Sequence, residues 1–127
     1  MYRYFNPNPL HNQTGDCVVR GICMLSGDNW DTVYMHLIVE GYRMKMMPSE
    51  NPVWGSLLHK QGYSRHLIPA ECPLCYSLKD FCQEYRFGKY LVATGTHVIA
   101  VVDGDYYDTW DSGDENVLFY WKKEDTL

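Results

Sequence analysis

The chain has no hydrophobic run approaching the ~20 residues that a helix needs to cross a bilayer, so a membrane-spanning helix is not expected. It has no cluster of Lys and Arg either. Eleven basic residues face sixteen acidic ones, and the net charge of -5 gives no electrostatic reason to expect nucleic-acid binding. Its start, Met1-Tyr2-Arg3-Tyr4-Phe5-Asn6-Pro7-Asn8-Pro9, lacks a continuous apolar core and is broken by two prolines. It does not read as a signal peptide, and a soluble, cytoplasmic protein is expected. There is no internal repeat, low-complexity tract or linker, so 127 residues point to a single domain over 1–127. The five cysteines are an odd number, and in a reducing compartment they should be mostly free thiols.

Apolar material is plentiful. A hydrophobic share of 46%, with 15% aromatics, is ample for one core and argues against disorder. Eleven tyrosines and four tryptophans suit a protein that contains a sheet. Residues 1–13 read as an extended arm, because the Asn-Pro repeats forbid regular helix. A helix is expected over 17–25, stopped by Gly27. In the next helix Asp28 is the cap, Gly41 the stop, and Trp30, Val33, Tyr34, Leu37 and Ile38 form one apolar face. Met44, Met46 and Met47 follow, as core or loop cover or as part of a substrate groove. Pro52 suits the first turn of a third helix, which Gly62 ends. A short strand over 63–68 is followed by a helix over 77–85, with Ser77 and Asp80 spaced as a capping box. The last third changes to strand periodicity over 90–93, 97–102, 105–110 and 116–121, and the charged tail 122–127 should fray. Helices followed by an antiparallel sheet make an α+β domain.

One stretch organises the rest. In Thr14-Gly15-Asp16-Cys17-Val18-Val19-Arg20-Gly21-Ile22-Cys23 a polar turn delivers a cysteine into an apolar run that only Arg20 interrupts. A helix apolar nearly all round is buried, with Asp16 as its N-cap. Cys17 then sits at the positive end of the helix dipole, which favours thiolate. Asp16 opposes this unless its carboxylate is turned away. The plainer reading is a core thiol that merely starts a helix.

The second half supplies partners. Asp103-Gly104 is a two-residue hairpin signal, which pairs Val102 with Asp105, Val101 with Tyr106 and Ile99 with Asp108. Side chains alternate along a strand, so His97, Ile99 and Val101 share a face with Trp110, Asp108 and Tyr106. Asp108 then lies diagonally across from His97, and Trp110 lies opposite it. A three-residue loop would bring Asp111 to the histidine instead. A carboxylate fixes the orientation of a histidine and stabilises its imidazolium. If the helix bearing Cys17 packs its N-terminus on that face, a Cys–His–Asp relay is complete. A lone histidine at a strand start is otherwise a structural residue.

On these residues the chain resembles the papain-like cysteine peptidase superfamily. Gly15-Asp16-Cys17 ahead of a buried helix resembles the nucleophile segment. Gly95-Thr96-His97-Val98-Ile99-Ala100-Val101 resembles the strand that begins with the general base, and Tyr107-Asp108-Thr109-Trp110 resembles the end of the strand after it. The order Cys, His, Asp, with helices before sheet, also matches, over most of the chain from Asn12 onward. The chain is similar to small papain-like proteins of Gram-positive bacteria and their phages. The resemblance implies a papain-like α+β domain with Cys17 as nucleophile, His97 as base and Asp108 as orienter. It also implies a Gln or Asn before the cysteine as oxyanion donor; Gln13 is favoured over Asn12, although neither spacing matches the commonest pattern. The Cys17 backbone N–H is the other donor.

Other residues admit competing readings. Cys72-Pro73-Leu74-Cys75 is a CxxC, half of a zinc site if Cys82 or His66 completes it, a redox dithiol, or plain turn cysteines. Asp103, Asp105, Asp108, Asp111, Asp114 and Glu115 are dense enough for a cation but lack EF-hand spacing, so solvated turn acids are the simpler account. His11, His36 and His59 have no motif partners. The expected activity is cleavage of a peptide or isopeptide bond through a thioester at Cys17, on a protein or peptide substrate, with no metal or organic cofactor. Cell-wall peptides are a second substrate reading. A binding or inhibitor protein on the same fold, possibly phage-encoded, is the non-catalytic alternative.

Overall fold

The computed structural model describes residues 1–68 and 76–124. The Cys72–Cys75 motif lies outside the described residues. The described residues make an α+β fold with four helices and a six-stranded mixed sheet. In chain order the elements are β1 (Tyr2–Tyr4), α1 (Cys17–Ser26), α2 (Trp30–Met44), α3 (Asn51–Lys60), β2 (Tyr63–Leu67), α4 (Leu78–Glu84), β3 (Lys89–Ala93), β4 (Val98–Val102), β5 (Asp105–Asp108) and β6 (Phe119–Lys123). The sheet order is β1-β5-β4-β3-β6-β2. Among the described residues no helix is long and apolar enough to cross a membrane.

Alternation along the strands divides the core in two. Leu91, Ala93, Val98 and Ala100 pack with Val19, Ile22 and Cys23 of α1 and with Val33, Leu37, Val53 and Trp54 of α2 and α3. The residues between them, Tyr90, Val92, Ile99 and Val101, pack with Leu78 and Phe81 of α4. The sheet is therefore covered on both faces, with α1 against its centre. Gly21 makes that approach close: a Cβ there would stand 2.5 Å from Leu91 Cδ1.

Several expectations are corrected. The sheet is not purely antiparallel, because β1 runs parallel to β5, pairing Tyr2 with Tyr106 and Tyr4 with Asp108. The arm is thus part of the sheet. The start of the expected tail is also part of it, since Lys122 and Lys123 pair with Ser64 and Tyr63. Asn29, not Asp28, caps α2, accepting from Thr32 N at 2.8 Å. The helix runs past Gly41 to Met44 and ends at Lys45 in the left-handed region, φ 60°. Gly41 is needed for close approach instead, as a Cβ there would lie 2.7 Å from the Met46 carbonyl. Met44 and Met46 pack against the core, while Met47 is exposed. The capping box at α4 is present, with Ser77 and Asp80 exchanging hydrogen bonds.

Candidate active site

Cys17 opens α1 and is half-buried. The first N–H groups of a helix have no partner within it, so the sulfur sits at the electropositive end of α1. Asp16 occupies the N-cap position but makes no capping bond. Its carboxylate is instead buried and turned inward, accepting from Arg20 Nη1 and from Trp30 Nε1, the latter at 2.9 Å. The guanidinium, being charged, is a stronger partner than a helix N–H group.

The two-residue turn at Asp103-Gly104 sets the register as the sequence implies. Val102 pairs with Asp105 and Val101 with Tyr106, and Asp103 takes φ 50° and Gly104 φ 82°. His97 Nε2 and Asp108 Oδ2 lie 2.7 Å apart. The imidazole stacks on Trp110 at a centroid distance of 5.3 Å. Asp111 is elsewhere, accepting from Tyr106 Oη at 2.5 Å and Gly113 N at 3.1 Å.

The helix does not pack on the face that strand alternation assigns to His97. It covers the Val98 and Ala100 face, while Ile99 and Val101 face α4. The three side chains still meet, because His97 lies one residue ahead of β4, where the pleat no longer dictates direction. His97 and the Val98 backbone N–H are the groups that act on the Cys17 sulfur, both favouring its thiolate. With Nε2 committed to Asp108, Nδ1 is the nitrogen left for the thiol.

Asp108 is 2% exposed and all its lone-pair directions are used. Oδ1 accepts from Thr109 N at 2.8 Å and Arg20 Nη2 at 3.2 Å. Oδ2 accepts from His97 and from Ser112 Oγ at 2.6 Å. Sequence reasoning missed both Ser112 and Arg20. Nothing local marks Ser112, and Arg20 stood out only as the one charge in a buried helix.

The electrostatics follow from these contacts. Burial alone would raise the Cys17 pKa, but the hydrogen bonds from His97 and the Val98 N–H, with the charges of His97 and Arg20, bring it below the ordinary thiol value. Burial alone would lower His97, and the bonds to Asp108 and Cys17 raise it to about 9 instead. Asp108 is held below the ordinary carboxyl value, since His97 and Ser112 outweigh its burial. Cys23 and Cys82 show the contrast: buried without such partners, each is pushed up to about 11.

Two cavities meet at Cys17. One, about 220 Å³, is lined by Trp54, Thr94, His97 and Phe119 among others. The second, about 430 Å³, lies toward Tyr34, Leu37 and Pro48. Cys17, Val18, Ser49 and Thr96 line both. A larger cavity of about 550 Å³, between the N-terminal arm and Trp30, reaches none of Cys17, His97 and Asp108. Gln13 is exposed and lines neither cavity at Cys17.

Among the described residues no group of three His, Cys, Asp or Glu side chains is placed to hold a metal. The acids of the last third serve turns and ion pairs: Asp103 accepts from Gly88 N, Asp105 pairs with Arg3, and Asp114 pairs with Lys79. Compared with known proteins, the chain matches no family model, no curated protein and no solved structure.

Proposed function

We propose that the protein is a papain-like cysteine hydrolase that cleaves a peptide or isopeptide bond. The observation that carries this reading is Cys17 at a helix N-terminus beside the hydrogen-bonded His97–Asp108 pair, whose influence lowers its pKa, with two cavities opening at the sulfur. A buried thiol that only packs has a raised pKa, as Cys23 does; Cys17 has the reverse. In the reaction the Cys17 thiolate attacks the scissile carbonyl and the imidazolium of His97 gives its proton to the leaving amine. A thioester remains on Cys17. His97, now neutral, takes a proton from water, whose oxygen attacks the thioester; the acid leaves, and the thiolate–imidazolium pair is restored.

Asp108 keeps the ring oriented and stabilises its cationic form. The Cys17 backbone N–H, unpaired by its place in the helix, is the oxyanion donor this chain supplies most directly. Gln13 is a weaker second donor, because its exposed position does not aim it at the sulfur. The cavities on either side of Cys17 suit an extended substrate crossing the thiol, with apolar side chains toward Trp54 and Phe119 on one side and Tyr34 and Leu37 on the other.

The test is acylation. With p-nitrophenyl esters of N-blocked amino acids, wild-type protein should release a burst of one nitrophenol per chain. Acid-quenched mass spectrometry should place the acyl group on Cys17, and His97→Ala should remove the burst. Folded protein that acquires no acyl group on Cys17 contradicts the proposal.

A further inference from the structure

We infer that Arg20 is a positioning residue for this site, gripping Asp16 and Asp108 in one guanidinium fork so that the carboxylate beside the nucleophile is neutralised and the carboxylate behind His97 is fixed. The inference rests on the catalytic reading of Cys17.

The geometry is specific. Arg20 lies one turn into α1 and is 7% exposed. A buried guanidinium is costly unless its charge and its N–H groups are matched. Nη1 bonds Asp16 Oδ1 and Nη2 bonds Asp108 Oδ1 at 3.2 Å. Both carboxylates are themselves buried. Trp30 Nε1 holds the other oxygen of Asp16, and His97 and Ser112 hold the other oxygen of Asp108. One side chain therefore ties the N-terminal turn of the nucleophile helix to the end of β5. Lysine could not replace it, because a point charge lacks the fork that reaches two carboxylates at once.

The consequence is electrostatic as well as mechanical. The charged groups around the Cys17–His97 pair are Asp16 and Arg20 from α1 and Asp108 from the sheet. Tyr2 of β1, which donates to the Asp108 carbonyl, and Tyr34 of α2, across the cavity, are the neighbouring phenols. Cys17 follows Asp16 directly, and an uncompensated carboxylate there disfavours thiolate. Arg20 removes that penalty without drawing Asp108 away from His97, because it uses one oxygen of each acid.

A staple and a charge device make different predictions. The experiment is the pH onset of Cys17 alkylation by iodoacetamide, read by peptide mass spectrometry. It compares wild-type, Asp16→Asn, Arg20→Gln and the double variant, each checked for folding by circular dichroism. Asp16→Asn should move the onset to lower pH. Arg20→Gln should move it higher, leaving on the order of tenfold less thiolate at a fixed pH below the onset. The double variant restores the charge balance while the staple stays broken, so its onset should return toward wild type.

Should Arg20→Gln fail to fold with two buried acids unpaired, Asp16→Asn still decides, since its amide is isosteric. An onset unmoved in Asp16→Asn overturns the inference. So does a folded double variant displaced as far as Arg20→Gln. These failures are distinct from that of the catalytic reading, which falls, and takes the inference with it, if wild-type Cys17 itself shows the onset of an ordinary thiol.

Discussion

His97 and Asp108 meet at 2.7 Å between Nε2 and Oδ2, and this contact favours the charged form of both. Asp108 is saturated by four donors, so it cannot turn toward another partner. An imidazole held by such a carboxylate keeps its proton well above neutrality, and an imidazolium beside a thiol favours thiolate.

The first expectation is a pH profile. Cys17 loses its proton below the ordinary thiol value and His97 keeps its proton to about 9, so the thiolate–imidazolium pair fills the window between. The rate of Cys17-dependent ester or amide cleavage should form a bell whose alkaline limb lies near 9. An alkaline limb near the 6.5 of an unperturbed histidine contradicts this. Stability follows the same sign: the folded state raises His97, so its contribution is complete below the unfolded value of ~6.5 and is lost as pH rises through about 9.

Replacing Asp108 with Asn removes the charge but keeps the size. His97 should then titrate nearer 6.5, the alkaline limb should move down with it, and the rate should fall on the order of 10²-fold or more. Asp111→Asn should leave both unchanged, because Asp111 bonds Tyr106 and Gly113 rather than the histidine. Steady-state rates of the two variants across pH make the comparison. Equal losses would show that the turn register does not select the orienter.

Gly21→Ala probes how the helix is held. The new methyl would stand 2.5 Å from Leu91 Cδ1, so the fully buried Leu91 side chain must shift to admit it. Overpacking of this kind costs about 1–3 kcal/mol. Thermal or urea unfolding should show it, together with slower Cys17 alkylation as α1 lifts from the sheet. Unchanged stability would mean that Leu91 yields to the methyl and that Gly21 does not set the approach of α1 to β3.

Glu40 offers a test away from the site. Buried on α2, it accepts from Arg43, Ser56 and Lys60 and so joins α2 to α3. The bonds from Arg43, Ser56 and Lys60 hold its pKa at about 2. A depressed carboxyl stabilises the fold above its unfolded pKa of ~4.5 and loses that contribution as pH falls through about 2. Glu40→Gln should therefore lower the melting temperature at pH ~7, and the difference from wild type should shrink on acidification. A difference that stays constant with pH would assign the loss to packing rather than charge.

Much of this was legible in the sequence, and the gaps have physical causes. The limits of α1, its Gly27 stop, the capping box at Ser77 and the hairpin at Asp103-Gly104 are local signals, and each appears in the structure. The hairpin register sets Asp108 near the start of β4, and the expected contact with His97 is present, although His97 itself lies just outside the alternating strand. The pairing of β1 with β5 was not readable, because parallel partners distant in sequence carry no turn signature. The side of the sheet that α1 covers was not readable, because alternation holds only within a strand and His97 lies just outside β4. Position alone marks Asp16 as a cap, and its actual partners, Arg20 and Trp30, become visible only once the helix is buried. Ser112 needed the chain beyond β5 to fold back on Asp108.

The central claim is that His97 activates Cys17, and the rate of Cys17 alkylation at pH ~6.5, where an ordinary thiol is almost wholly protonated, tests it most directly. Limiting iodoacetamide should modify Cys17 of the wild-type protein faster than a model thiol of unperturbed pKa. His97→Ala, still folded, should lose that advantage. Alkylation of wild-type Cys17 no faster than the model thiol, or equally fast in His97→Ala, would contradict the account.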